Sequence, residues 1–74
     1  MAWFQLLMNG DPTDPNDYNL VTSPGCSGSL YVCAIQTSPD VNNKPIINTS
    51  LRNEMITALN NKGSTTNVLL RTNP

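Results

Sequence analysis

The sequence predicts a small α+β domain, in which a sheet of three to four short strands packs with one amphipathic helix at about residues 50–61. Three observations predict it. Short apolar runs rich in β-branched and aromatic residues are separated by turn-forming residues. One later segment changes to a helical period. The 74 residues contain no internal repeat, so residues 1–74 form one domain.

The strands are assigned from apolar runs and the turns that stop them. The side chains of residues 2–8 are expected to point alternately to the two faces of a strand. Residues 30–36 give the strongest strand prediction, because they are rich in β-branched and aromatic residues. Residues 20–22 are a brief strand, and residues 46–47 are a short extended piece. Residues 67–72 read as the closing strand. The predicted order is therefore β-loop-β-β-α-β.

The helix is predicted from apolar residues at i, i+4, i+7 and i+8, namely Leu51, Met55, Ala58 and Leu59. Thr49 or Ser50 is expected to cap its N-terminus, because a hydroxyl there accepts an orphan backbone N–H. Gly63 is expected to supply the left-handed residue that ends it. Glu54 falls on the polar side of the helix, where we expect solvent around it.

Residues 9–19 form a turn-rich linker with two Pro, three Asp and three Asn residues. Asp11, Asp14 and Asp17 offer hard oxygen ligands of the kind that Ca²⁺ requires. Their spacing does not match an EF-hand loop, and Asx side chains ordinarily bond to their own backbone in turns. We therefore expect turn chemistry, with a weak calcium site as the alternative.

Composition excludes several functions. Charged residues make up 12% of the chain, roughly half the usual share of about 25%. Four scattered Lys and Arg residues give no electrostatic footprint for nucleic acid. No apolar run approaches the length that spans a bilayer, and no secretory signal is visible. Neutral polarity replaces charge, because Asn, Thr and Ser supply 25 of the 74 residues.

No catalytic constellation is visible. The chain has no His, which is the commonest general base and metal ligand. No Ser has a base arranged beside it, and the single glycines form no phosphate-binding loop. We expect no enzyme activity, no catalytic residues, no cofactor and no dedicated metal site.

Cys26 and Cys33 are separated by six residues, among them Gly28. A disulfide between them would stabilise the fold by about 2–3 kcal/mol on a chain-entropy basis. Such a staple matters because a chain this short buries only about 60% of the surface that it exposes when unfolded. Free buried thiols are the alternative, while the spacing is not that of a redox C-x-x-C pair.

Both faces of the first strand are apolar, which one helix does not explain. In a small domain, one face of the sheet is usually packed against the core and the other is exposed to solvent. Residues 1–8 therefore either fold along the helix and are covered locally, or leave their own domain as an exchanged N-terminal strand. Trp3, Phe4, Leu6 and Leu7 are the candidate self-association residues. Deleting residues 1–8 would then leave a soluble monomer.

The chain also resembles short uncharacterised proteins of Bacteroidota-type bacteria. The similarity lies in an opening MAWF, in residues 14–18 (DPNDY), in residues 33–36 (CAIQ), in residues 44–47 (KPII) and in residues 58–61 (ALNN). It covers most of the chain. The resemblance implies a bacterial source and no particular activity.

The sequence thus predicts a structural subunit that associates with other copies of itself in a filament, a sheath or a similar extracellular assembly. N-terminal strand exchange is one route to that assembly. The alternative is a monomeric, disulfide-stapled binding module for a protein or glycan, with Trp3, Tyr18 and Tyr31 as anchors. An oxidised cysteine pair favours an extracellular or cell-surface location, and free thiols would favour the cytoplasm.

Overall fold

The computed structural model describes residues 2–72, which form four strands, one α-helix and one 3-10 turn. The strands are β1 (Ala2–Leu6), β2 (Tyr18–Val21), β3 (Tyr31–Thr37) and β4 (Val68–Arg71). The helix α1 spans Thr49–Asn61, and the 3-10 turn spans Pro15–Asp17. The predicted α+β class with one helix is confirmed.

The strands form one antiparallel sheet in the order β2-β1-β3-β4. Phe4 aligns with Leu20 on one side and with Ile35 on the other. β1 is therefore a central strand of its own sheet, and β2 and β4 are the edges. Of residues 9–19, predicted as a turn-rich linker, residues 9–17 fold into compact turns beside β1, and Tyr18 and Asn19 already belong to β2. The Leu7 N–H bonds to the Asp17 carbonyl.

The core lies between the sheet and α1, which packs mainly on β4 and β3. Phe4 and Leu6 point into it from β1, while Leu51, Met55 and Ala58 point into it from the helix. The remaining buried members are Tyr18, Val32, Ile35, Val68 and Leu70. Three of the four predicted helix positions are thus buried, and the fourth, Leu59, packs against the cluster.

Both predicted helix caps are displaced by one residue. Asn48, and neither Thr49 nor Ser50, is the N-cap, because its side-chain oxygen accepts the Leu51 N–H at 2.9 Å. At the other end Lys62 takes the left-handed conformation with φ of 51°. The Gly63 N–H then bonds to the Ala58 carbonyl at 3.1 Å. Glycine is therefore in the motif but one position beyond the left-handed residue.

Candidate self-association surface

The sheet has a face turned away from α1, which we call the outer face. Register places Trp3, Gln5, Ala34 and Leu69 there, because each alternates with a core residue on its own strand. The apolar character of both faces of β1 follows from this arrangement. Phe4 and Leu6 serve the core, and Trp3 is partly exposed on the other side.

The β3–β4 part of the sheet is covered by the loop that carries Cys26. Cys33 and Ala34 both stand opposite Leu69, where the β3–β4 register shifts by one residue in a bulge. Both are completely buried, yet neither belongs to the cluster under the helix. The predicted Cys26–Cys33 disulfide is confirmed, with a Cα–Cα distance of 5.9 Å. It fixes the loop against the bulge.

The same loop is also fixed to the end of β4. The Thr72 N–H donates to the Ser27 carbonyl, and the Leu30 N–H donates to the Arg71 carbonyl, each at 3.1 Å. Gly28 lies between these contacts with φ of 132°. A Cβ at this position would stand 2.6 Å from the Arg71 carbonyl carbon. Only glycine fits there, for both reasons.

The β1–β2 part of the outer face contains an open cleft of about 270 Å³. Its lining residues are neutral except for one arginine: Gln5, Leu6, Leu7, Met8, Asn19, Val21 and Arg71. Leu7 and Met8 are 43% and 75% exposed, so two large apolar side chains stand at this cleft in contact with water. We call these seven residues the β1–β2 cleft.

Arg71 joins the last strand to the end of the first. Its Nη1 donates to the Leu6 carbonyl at 2.9 Å, and its Nη2 donates to the Leu7 carbonyl at 3.1 Å. The β1–β3 pairing ends at Gln5 and Ala34, and its register would next place Leu6 opposite the bulge residue Cys33. Beyond this point the Arg71 guanidinium bonds to the β1 carbonyl in place of β3. The Nε–H is buried and has no partner within residues 2–72. The one charge in the cleft is therefore bonded to two backbone carbonyl groups and keeps its positive charge.

The four predicted self-association residues are separated by this fold. Phe4 and Leu6 are 0% and 5% exposed, so their side chains contact no partner in this conformation. Trp3 and Leu7 remain accessible. Phe4 and Leu6 would take part in association only by strand exchange, in which β1 of one copy fills the place between β2 and β3 of another. That exchange remains a prediction.

Tyr18 is a core residue, and its predicted role as an anchor of a binding module is wrong. Its side chain is 0% exposed, and its hydroxyl donates to the Pro12 carbonyl at 2.7 Å. Burial raises the pKa of the Tyr18 hydroxyl far above its ordinary value, and the negative charge of Asp11 adds to this effect. The Asp-Pro and Asn-Asp steps just before Tyr18 are typical of turns, so the sequence did not predict that β2 begins at Tyr18.

Glu54 is held by three hydrogen bonds, so the prediction of a solvated side chain is wrong. Its carboxylate accepts the Thr65 hydroxyl, the Asn67 N–H at 2.7 Å and the Asn67 side-chain amide at 3.1 Å. Burial raises the pKa of Glu54, but these hydrogen bonds together lower it by more, and the net pKa lies below 4.5. Glu54 therefore ties α1 to the segment that leads into β4.

A polar pocket of about 140 Å³ lies beside Glu54, at the N-terminal end of α1. It is lined by Gln36, Thr37, Asn48, Ser50, Leu51, Glu54 and Asn67. Sequence reasoning did not bring these residues together, because they come from β3, α1 and the segment before β4. Five of the seven are neutral amides or hydroxyls near a strand or helix end, and the other two are Leu51 and Glu54.

The three aspartates of residues 9–17 accept hydrogen bonds from groups within the same turn segment. Asp11 accepts from both the backbone N–H and the hydroxyl of Thr13, which lowers the pKa of its carboxyl group. Asp14 caps the 3-10 turn through the Asn16 N–H, and Asp17 accepts the Asp11 N–H at 2.7 Å. Within residues 2–72 no three acidic or Cys side chains stand together as a metal-binding group. The alternative of a calcium site gains no support.

Comparisons with known proteins do not add an assignment. No protein-family model, curated protein sequence or solved structure matches the chain. In the described part of the chain, α1 is too short and too polar to cross a bilayer.

Proposed function

We propose that this protein is a non-enzymatic structural subunit that associates with other copies of itself in a filament, a sheath or a similar extracellular assembly. The β1–β2 cleft carries the proposal, because it places exposed Leu7 and Met8 beside Val21 and an Arg71 that is held by two backbone carbonyls. Protein interfaces are enriched in Met, Arg and aromatic residues and depleted in Lys, Glu and Asp. The cleft contains one Met and one Arg and no Lys, Glu or Asp, although it has no aromatic residue.

The low charge of the whole surface supports the same function. Burying a charge without a partner is expensive, whereas amides and hydroxyls can be satisfied across an interface. The chain contains nine charged residues, five acidic and four basic. A second copy can therefore dock with little desolvation of charge. The disulfide supports an oxidising, extracellular setting for the assembly.

Strand exchange is the second route to the same assembly. β1 pairs with strands on both sides, and Phe4 and Leu6 fill the core. A chain without residues 1–8 should therefore be unfolded rather than the soluble monomer that the sequence suggested. A synthetic peptide of residues 1–8 that restores the folded spectrum would favour exchange. A truncated chain that stays unfolded with peptide would favour docking of complete domains.

A monomeric, disulfide-stapled binding module is the alternative, and the polar pocket beside Glu54 favours it. Amide and hydroxyl side chains around one carboxylate suit a small polar ligand such as the hydroxyl groups of a glycan. Titration with a panel of soluble oligosaccharides, followed by amide chemical shifts of Gln36, Asn48 and Asn67, tests this alternative. Saturable shifts at those amides in a protein of constant size would favour the module.

Sedimentation velocity over a roughly hundredfold concentration range tests the structural-subunit proposal. We expect species larger than the 8.1 kDa chain that grow with concentration. Met8→Lys should weaken association at least about tenfold, because it places a cation beside Arg71 and removes apolar contact. Val41→Lys is the matched control, since Val41 is 97% exposed on a loop outside the cleft. A single species of 8.1 kDa throughout would refute the proposal.

A further inference from the structure

The two edges of the sheet present different backbone groups to a neighbouring chain. In an antiparallel ladder, residues that bond to the partner strand alternate with residues whose N–H and C=O point away from it. The Leu7 N–H donates to the Asp17 carbonyl at 2.8 Å, so Asn19 and Val21 also bond toward β1. Tyr18 and Leu20 consequently direct their backbone groups away from the sheet.

Among the outward groups of β2, those of Tyr18 are used within the chain and those of Leu20 are not. The Tyr18 N–H donates to the Pro15 carbonyl. The Lys44 ammonium donates to the Tyr18 carbonyl at 2.8 Å, which agrees with the outward direction of Tyr18. Within residues 2–72, no side chain or loop group bonds to the backbone of Leu20. Its side chain is 48% exposed at the same edge. β2 itself carries no charge and no proline, so charge protects this edge strand only where the Lys44 ammonium contacts Tyr18.

The outward groups of β4 are used within the chain. The Val68 carbonyl accepts the Thr65 N–H at 2.8 Å, and the Leu70 N–H donates to the Ser64 hydroxyl at 3.1 Å. The segment before β4 thus covers its edge. At β4 both outward residues, Val68 and Leu70, have one group bonded in this way. At β2 the bonds to Tyr18 would obstruct an incoming strand, but none would be displaced at Leu20.

We propose that the β2 edge pairs with β2 of a second copy, antiparallel about a two-fold axis at Leu20. In this register Leu20 faces its own symmetry mate, and Tyr18 faces Thr22 of the second copy. The Leu20 pair gives two new hydrogen bonds, and the Thr22 N–H of each copy can add one to the Tyr18 carbonyl that Lys44 already contacts, so about four form in all. The Tyr18 N–H adds none, because it already donates to the Pro15 carbonyl. The two half-exposed Leu20 side chains meet on the same face, so apolar surface is buried as well.

The inference rests on the proposed function and makes its geometry specific. A two-fold contact alone closes a dimer, whereas two different two-fold contacts on one subunit can continue without limit. Pairing at β2 and docking at the β1–β2 cleft would be such a combination. A strand pairing of this length is far smaller than the ~1,600 Å² of a standard interface. It should therefore be weak without the cleft contact.

Amide hydrogen exchange on the complete chain tests the register. We expect the Leu20 and Thr22 amides to exchange quickly in dilute protein and on the order of tenfold more slowly in assembled protein. The Asn19 and Val21 amides should be protected in both states, because they bond to β1. Protection that alternates in this way would support the pairing. Unchanged exchange at Leu20 in protein that sedimentation shows to be assembled would overturn it.

Leu20→Lys with Ile56→Lys as its control separates this inference from the proposed function. Both positions carry a half-exposed apolar side chain, at 48% and 56%, but Ile56 lies on α1. We expect L20K to shift the assembled population to dimers or monomers, because two ammonium groups would meet at the axis, and I56K to leave it unchanged. Assembly that is equally strong in both variants would refute β2 pairing while leaving self-association intact. A wild-type chain that never assembles would refute both.

Discussion

The β3–β4 half of the sheet is closed by its own chain, while the β1–β2 half is left open. On the closed half, α1 packs on one side, the Cys26 loop is bonded at the bulge, and residues 64–65 cover the edge. On the open half, the cleft exposes Met8, and the edge exposes Leu20. We therefore expect stability to depend mainly on the closed half and association mainly on the open half. Substitutions in one half should then change one property and leave the other unchanged.

The largest loss of stability is expected from Gly28→Ala on the closed half. The new Cβ would collide with the backbone of Arg71 and Thr72, and φ of 132° strains any residue with a side chain. We expect a loss of about 2–5 kcal/mol, which is most of the margin of a small domain. Urea unfolding measures it. Gly25→Ala is the control, since nothing lies within 4 Å of a Cβ there, and an equal loss in both variants would contradict the explanation.

Replacing both cysteines by serine should have the next largest effect. The Cys26→Ser and Cys33→Ser double variant loses the loop closure that the disulfide provides, which we expect to lower the free energy of unfolding by about 2–3 kcal/mol. Reduction of the native chain should lower the free energy of unfolding by a similar amount and should therefore lower the melting temperature. A melting temperature that reduction does not change would show that the backbone bonds at Ser27 and Leu30 hold the loop without it.

Glu54→Gln should cost about 1–2 kcal/mol near neutral pH, because the carboxylate hydrogen bonds from Thr65 and Asn67 become weaker. The pKa of Glu54 is lower in the folded chain than in the unfolded chain. Its contribution is therefore complete above the ordinary value of 4.5 and is lost as the pH falls through the lowered pKa.

Unfolding free energies of the native chain and E54Q should consequently converge as the pH falls below 4.5. Thr65→Val sharpens the measurement, because it removes one donor and should raise the pKa of Glu54 toward its ordinary value. A carboxyl carbon titration by NMR gives that pKa directly. Parallel stability curves for the native chain and E54Q across this range would show that Glu54 contributes nothing to the closed half.

Sequence alone predicted the parts that depend on local periodicity. Leu51, Met55 and Ala58 recur at helical spacing and are the buried face of α1, and the apolar run that became β3 is fully buried in its centre. The cysteine pairing followed from a short loop whose ends could meet. These features need only neighbours along the chain.

The candidate site depends on contacts between distant residues, which one sequence does not display. Glu54 meets Asn67 across a turn, and Arg71 reaches Leu6 from the opposite end of the chain. Tyr18 was missed as a core residue because it follows a run of turn formers. Nothing local distinguishes β2 from β4 as edges either, since β4 is covered only by the Ser64 hydroxyl and the Thr65 N–H.

Ser64→Ala is the smallest change in stability and the most direct test of the difference between the two edges. It removes the acceptor for the Leu70 N–H, so we expect a loss of about 1 kcal/mol. With the Leu70 N–H free and only the Thr65–Val68 bond left, the β4 edge should then pair with other copies more readily. Sedimentation velocity should show new large species that persist when Leu20→Lys is added, because they no longer depend on β2. Ser23→Ala, which replaces an exposed serine outside both edges, should assemble as the native chain does. If S64A also assembles like the native chain, the Ser64 hydroxyl is not what closes the β4 edge.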